Sequence, residues 1–363
     1  IFGKIFFAAL ILIATLGEVV ILMLHYYLRY ATEIERPELY LKERKKKSTV
    51  KTHAEKPLDN KMAEKIRRVI IESLGEKGWR WVSRQVNLTS LYTIVHNTLT
   101  RVNVQLITND VECLVNLHKI NDHRFLNKFF ETVNEKLPFG GLYVGVGETL
   151  ATRYAKIFRK TLFPFTYICL VFDFFVHRIM PKLPFFQKIY FSLTKGENRA
   201  LSKAEILGRL YCCGFEVVNY TTIGGQFLFC ARKVKEPSYD MMPTYGPFIA
   251  LNRVGKDGNI IRVYKMRTMY PYSEYIQKYV YTQKGTIDGD KANDDFRITR
   301  WGGCFRKIWL DELPMIINWI RGDLKLVGVR PLSKVKFETY PSDLQQKRIR
   351  SKPGLFPPPR PGA

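Results

Sequence analysis

The sequence lacks the cysteine spacing of a stapled or metal-built domain. Its six cysteines, Cys113, Cys169, Cys212, Cys213, Cys230 and Cys304, form no Cys-x-x-Cys pair and find no His-x3-His partner. That pattern excludes a zinc ribbon and a disulfide framework and leaves reduced thiols as the reading. Acidic residues are also scarce, 33 Asp and Glu against 58 Lys and Arg, for a formal charge of +25. A surplus of that size suits a polyanion: nucleic acid, lipid headgroups or phosphorylated substrates. No aromatic-basic recognition motif is visible, so nucleic acid is not an expected partner. With 363 residues, 46% of them hydrophobic, the chain is no disordered tail and has material for two or three folding units. It begins with Ile1 rather than Met, which points to a fragment or a processed start.

Long hydrophobic runs are few, and one stands out. Ile5 to Leu24 carries a single charge, Glu18, over 20 residues, and a helix of that length covers about 30 Å, the thickness of a hydrocarbon core. Residues 1–30 are therefore expected to hold a transmembrane helix, with Glu18 facing another helix or tilted toward an interface. A buried core helix is the alternative; a signal peptide would have a shorter apolar run and a small-residue cleavage site. Residues 31–76 read as a basic linker whose "KERKKK" marks the cytoplasmic side and would lie against anionic lipid.

Residues 77–160 and 187–236 have a globular texture. "ECLVNLH" and "GGLYVGVGE" read as strands around an amphipathic helix carrying Phe125, Phe129, Val133 and Leu137. Ser202 and Glu205 have capping-box spacing, and Gly224-Gly225 sits between two strand-like runs as a hairpin turn. This order resembles the C-terminal half of Rossmann-like methyltransferases. No GxGxG turn precedes Glu112, and "GVGET" follows too late a strand to cradle a nucleotide-like cofactor, so a degenerate scaffold is expected. A membrane-tethered S-adenosylmethionine-dependent methyltransferase is the alternative function. Between the two parts, residues 161–186 are apolar yet hold Asp173, His177 and Arg178, with Pro164, Pro181 and Pro184 at the edges. A re-entrant or interfacial membrane segment fits better than a straight span, and a core helix is the competing reading.

The chemistry lies after residue 240. Two alternating segments around Gly255–Asn259 suggest a hairpin that presents Lys265 and Arg267 on one face, suited to a diphosphate, although a solvated strand edge would look the same. Further on, Arg306 precedes the adjacent pair Asp311-Glu312 and Arg330 follows it. Leu313, Ile316, Ile317 and Ile320 recur at helical spacing, predicting a buried stripe on a short helix that tolerates Pro314 in its first turn and stops at Gly322. Two adjacent carboxylates at a helix start are unfavourable unless cations balance them. A Mg²⁺ ion shared with substrate phosphates, or the arginines, would do so, and an ionised carboxylate left over is a nucleophile.

The blocks "GPFIALNRVGKDG", "YKMRTM", "ITRWGGCFRKIWLDELPMIINWIRGDLKLVGVRPL" and "KPGL" resemble the bacterial sugar transferase family, the monotopic polyprenyl-phosphate phosphoglycosyl transferases. The resemblance covers about Gly246 to Leu355. It implies that Asp311 attacks the diphosphate of a nucleotide-activated sugar, most naturally a UDP-sugar, releasing the nucleoside monophosphate. Polyprenyl phosphate then takes the phosphosugar, starting a lipid-linked glycan for exopolysaccharide, capsule or O-antigen. It further implies Mg²⁺ on Glu312, phosphate contacts from Lys265, Arg267, Arg306 and Arg330, and a place at the bacterial inner membrane with the catalytic domain facing the cytoplasm; a homodimer stays open. Three features depart from the family: no membrane helix directly precedes Gly246, the usual Gly-Pro-Arg-Pro reads Gly328-Val329-Arg330-Pro331, and the chain ends in "FPPPRPGA", as if truncated or divergent. The expected architecture is thus α/β, with a transmembrane helix, a Rossmann-like methyltransferase-type domain threaded by a membrane segment, and an α+β phosphoglycosyl transferase domain over 240–363.

Overall fold

The computed structural model describes residues 32–33, 58–107, 110–239, 246–284 and 295–356. The expected span at Ile5–Leu24 lies outside the described residues, as does most of the basic linker. Among the described residues, no helix is long and apolar enough to cross a membrane. The chain divides into two compact units, the larger built mainly from residues 58–239 and the smaller from 246–269 and 298–356.

A five-stranded mixed sheet organises the larger unit. Strands β1 (Thr93–His96), β2 (Cys113–Lys119) and β3 (Leu142–Gly147) run parallel, and the hairpin β4 (Phe215–Ile223) and β5 (Gln226–Lys233) joins antiparallel, in the order β1-β2-β3-β5-β4. Side chains alternate across a strand, so Cys113, Val115 and Leu117 of β2 face one core while Leu114 faces the other. The first core is covered by helix α1 (Asn60–Gln85), which buries Ile70, Leu74 and Val82 and is broken at Gly75. The second is covered by α2 (Leu126–Lys136) and α6 (Lys203–Cys212), through Phe129, Phe130, Val133, Ile206, Leu207 and Leu210. Burial on both faces explains why these strands read as near-continuous apolar runs. Residues 60–76, expected as the end of the linker, instead begin α1. Their charges lie on the solvent side of a helix whose inner face is the apolar set at i, i+4, i+8.

Between β3 and α6 the chain makes a helical excursion: α3 (Leu150–Lys160), α4 (Phe165–Phe174), a π-helical turn (Phe175–Ile179) and a 3₁₀ turn (Met180–Lys182), and α5 (Pro184–Thr194). Thr149 caps α3 by accepting from Thr152 N–H, and Ser202 caps α6 by accepting from Glu205 N–H, as the Ser202/Glu205 spacing predicts. Residues 270–284 and 295–297, expected within a 240–363 domain, pack in the larger unit instead. Ile276 is buried in the second core, with Tyr270, Tyr279 and Phe296 against it. At Gly208 of α6 a Cβ would stand 2.2 Å from the backbone oxygen of Tyr272, so only glycine admits this approach.

The smaller unit is built on the hairpin β6 (Phe248–Val254) and β7 (Ile260–Met266), to which Thr32–Glu33 adds a short parallel strand. Its small core joins Ile261 and Val263 of β7 to Met315, Leu324 and Leu355. A second parallel pair, β8 (Lys325–Val327) with β9 (Gly354–Phe356), lies in the same unit.

Candidate active site

The dyad is positioned by short elements whose ends are fixed by polar side chains. Helix α7 (Arg300–Lys307) starts at Thr299, whose Oγ1 accepts from Gly302 N–H at 2.9 Å. The chain leaves α7 through Trp309, held at φ +61°, a conformation that costs a bulky residue energy and reverses the chain sharply. Asp311 and Glu312 follow in a single 3₁₀ turn, Leu310–Glu312. Helix α8 (Met315–Ile320) comes next and ends at Gly322, which takes φ +77°. The carboxylates thus sit at the N-terminal end of α8, in a 3₁₀ turn that leads into it.

Asn318 locks this segment to β7. The buried amide accepts from Tyr264 N–H at 2.9 Å, and its Nδ2 donates to Arg262 O at 2.7 Å and Asp323 Oδ2 at 3.0 Å. Tyr264 adjoins Lys265, so one side chain sets the distance between the strand that carries the lysine and the helix behind the dyad. Sequence reasoning passed over Asn318, although a lone amide in the run "MIINWI" is the signal that could have found it.

The expected buried stripe is a correction. Met315 and Asn318 are the residues of α8 that α8 buries, and Ile317 packs on Ala250 and Tyr264. Leu313 is 56% exposed, Ile316 40% and Ile320 74%. Helical periodicity identifies an apolar side; it does not say that protein covers it.

Lys265 Nζ donates to Glu312 Oε1 at 2.6 Å, and Arg330 Nη2 donates to the same oxygen at 2.8 Å. Asp311 makes no hydrogen bond or ion pair among the described residues. Burial lowers the Lys265 pKa below the usual lysine value; Glu312 opposes that shift, Arg330 adds to it and Asp311 opposes it. The other two expected phosphate ligands are joined elsewhere. Arg267, just past β7 and buried, donates its Nε to Gly246 O at 2.8 Å, and Arg306 donates its Nε to Thr268 Oγ1 at 2.8 Å. Lys265 and Arg267 therefore do not act as a matched pair on one strand face, because β7 ends at Met266 between them. Arg348, not anticipated from the sequence, donates to Arg330 O at 2.8 Å and braces the loop behind the exposed guanidinium.

Among the described residues no three His, Cys, Asp or Glu side chains gather as a metal cage. The dyad still suits Mg²⁺, which commonly takes one or two carboxylates and completes its shell with phosphate oxygens and water. Both cations sit on Glu312 Oε1, leaving Oε2 for a hard cation. In the larger unit, the segment after β1 is tied to β2. Thr98 N–H donates to Asn116 Oδ1 at 3.0 Å, and Asn116 Nδ2 donates back to Thr98 O at 3.1 Å.

Residues 241–358, which carry the dyad, match the profile described as bacterial sugar transferase. This segment is similar to the galactosyl transferase CpsE of Streptococcus agalactiae, 42% identical over 113 residues, covering 30% of this chain and 25% of that protein. The UDP-galactose-lipid carrier transferase of Erwinia amylovora is 37% identical over 114 residues, 30% of this chain and 24% of its own. The undecaprenyl-phosphate galactose phosphotransferase of Salmonella typhimurium is 34% identical over 108 residues, 28% and 22% respectively. The chain thus spans about a quarter of the length of these curated relatives. Among solved structures, an O-methyltransferase family 2 protein from Planctomyces limnophilus overlaps 44% of this chain and 48% of its own at 15% identity, with a TM-score of 0.24, too low to bear on the fold.

Proposed function

We propose that this chain, whose residues 241–358 match the bacterial sugar transferase profile, moves a sugar 1-phosphate from a UDP-sugar to polyprenyl phosphate and so begins a lipid-linked glycan for exopolysaccharide, capsule or O-antigen. The relatives named above act, by their names, on UDP-galactose, a lipid carrier and undecaprenyl phosphate. The reaction takes place at the inner membrane, on its cytoplasmic side, as the basic stretch after Ile5–Leu24 suggests.

The observation that carries the reading is the unequal treatment of two adjacent carboxylates: Glu312 is held by Lys265 and Arg330, while Asp311 is left unengaged among the described residues. In the proposed first step an Asp311 oxygen attacks the sugar-bearing phosphorus. The bond to the bridging oxygen breaks, its electron pair leaves with UMP, and a phosphosugar is esterified to Asp311. In the second step an oxygen of polyprenyl phosphate attacks the same phosphorus, and the Asp311 carboxylate is returned. Lys265 and Arg330 hold diphosphate oxygens and stabilise the charge that grows on the leaving phosphate, Arg330 through its planar fork. Glu312 is the residue to hold Mg²⁺, which when bound neutralises diphosphate charge.

The test is direct. The purified chain, incubated with Mg²⁺ and a panel of UDP-sugars, releases UMP and gains the mass of a phosphosugar, and Asp311→Asn lowers turnover on the order of 10⁴-fold. An Asp311→Asn protein that labels like the parent removes Asp311 as nucleophile.

A further inference from the structure

The excursion between β3 and α6 is built inside out. In a helix packed on a water-soluble protein, apolar residues turn inward and polar ones outward. Here the polar side chains turn inward. Arg153 Nε and Nη2 clasp Asp173 at 2.6–3.1 Å, Arg178 Nη1 donates to Ala200 O at 2.8 Å and pairs with buried Glu205, and Tyr190 OH donates to Glu197 O at 2.8 Å. Leu162, Phe163, Ile168, Val171, Phe172 and Phe185 turn outward and are 66–84% exposed. Soluble proteins rarely leave so large a contiguous aromatic and aliphatic surface facing water.

Two observations say what covers it. From residue 157 to 196 the only acid is Asp173, and Arg153 already neutralises it. Arg159, Lys160, Lys188 and Lys195 are exposed around the apolar face. An apolar patch bordered by these four cations against one exposed acid, Glu197, is complementary to an anionic bilayer surface, where acyl chains take the rings and headgroup phosphates take the cations. The second observation is how the segment is held. Helix α4 runs on through a π-helical turn, Phe175–Ile179, and a 3₁₀ turn, Met180–Lys182, before α5. Asp173 and Arg178 tie this run to Arg153 of α3 and Glu205 of α6, so one side lies on the larger unit and only the other is free to meet lipid.

We propose that the outward face of α4 and α5, led by Phe163, Ile168, Phe172 and Phe185, seats the larger unit in the interface of an anionic bilayer without crossing it, while Arg159, Lys160, Lys188 and Lys195 bind headgroup phosphates. This docking surface lies in the larger unit, outside residues 241–358, and does not depend on the transfer reaction.

The test uses the full chain in nanodiscs of phosphatidylcholine with or without phosphatidylglycerol, on a Cys169→Ser, Cys304→Ser background; the other four cysteines are buried. A nitroxide is attached at Phe172→Cys and, as a control, at Val218→Cys on β4. At 172, collision with oxygen should exceed collision with a water-soluble nickel chelate several-fold relative to 218. The excess should fall in phosphatidylcholine alone and in Lys188→Glu/Lys195→Glu. A nitroxide at 172 as open to nickel as that at 218 overturns the proposal. One shielded from both reagents in both lipids also overturns it, because a protein partner or a second copy then covers the face. A lipid signature indifferent to phosphatidylglycerol and to the lysine changes overturns the headgroup contacts. Depth at one side chain is read without turnover, so failure here and failure of the transfer reaction are separate results.

Discussion

Lys265 and Glu312 lie 2.6 Å apart, drawn from β7 and from the 3₁₀ turn ahead of α8, and each side chain is less than one-fifth exposed. The pair is a compromise. Burial disfavours the lysine's charge, and Glu312 restores part of what burial removes. Arg330 then shares the same carboxylate oxygen, so two cations depend on one anion.

Glu312→Gln should therefore drive the Lys265 pKa further down, since the largest influence that raises it is gone. The alkaline limb of sugar-phosphate transfer, where Lys265 loses the proton that binds phosphate, should move to lower pH. Stability has its own sign. A lysine whose folded pKa is depressed penalises the folded state while protonated. The penalty is full below the folded pKa and vanishes as pH rises to the ordinary 10.5. The unfolding free energy of the parent minus that of Lys265→Met should therefore climb between pH 8 and 10.5, a difference in which the buried thiols and phenols that titrate in both proteins cancel. An equal slope in both proteins counts against the assignment.

The proximity of Lys265 and Arg330 to the dyad follows from the order of the motif blocks, which place a hairpin, a turn and a loop around one helix. The fate of Arg267 and Arg306 is not legible in that order. A one-residue difference in where β7 ends decides which way Arg267 points, and strand ends are set by tertiary contacts such as Arg267 N–H to Pro247 O. The mixed sheet is legible because strands buried on both faces announce themselves. Helix α1 is not, since its narrow apolar stripe lies among charges that resemble a linker. Ile316 and Ile320 show the limit most plainly: period 3.6 marks them as one side of a helix and is silent on what lies against that side.

Asn318→Leu should cost about 1–3 kcal/mol, because the Tyr264 amide and the Arg262 carbonyl lose a buried partner that water does not replace. Transfer activity should fall further than the stability loss explains at temperatures where the variant is folded, because β7 and α8 then slip against each other and the distance from Lys265 to the dyad is no longer fixed. Denaturant titration with kcat and KM measured on the folded variant checks both parts. A destabilised protein with parental kcat makes Asn318 a fold residue alone.

Glu205 offers a pH prediction of opposite sign. The carboxylate is fully buried; burial raises its pKa, but Arg178, Lys182 and Arg209 together outweigh that and hold it well below the ordinary carboxylate range. A depressed carboxylate contributes stability that is complete above its unfolded value of about 4.5 and is lost as pH falls below it toward the folded pKa. Hydrogen exchange of residues 178–209 should therefore accelerate as pH is lowered beneath that value, after correction for the intrinsic rate. Glu205→Gln should destabilise the larger unit by about 3–5 kcal/mol at neutral pH, since it strands two buried guanidinium groups. The same substitution should abolish the acid dependence of this segment. Because Arg178 ties the π-helical turn after α4 to Glu205, exchange should rise in the excursion as well as in α6. Protection that changes in α6 alone would mean that Arg178 finds another anchor.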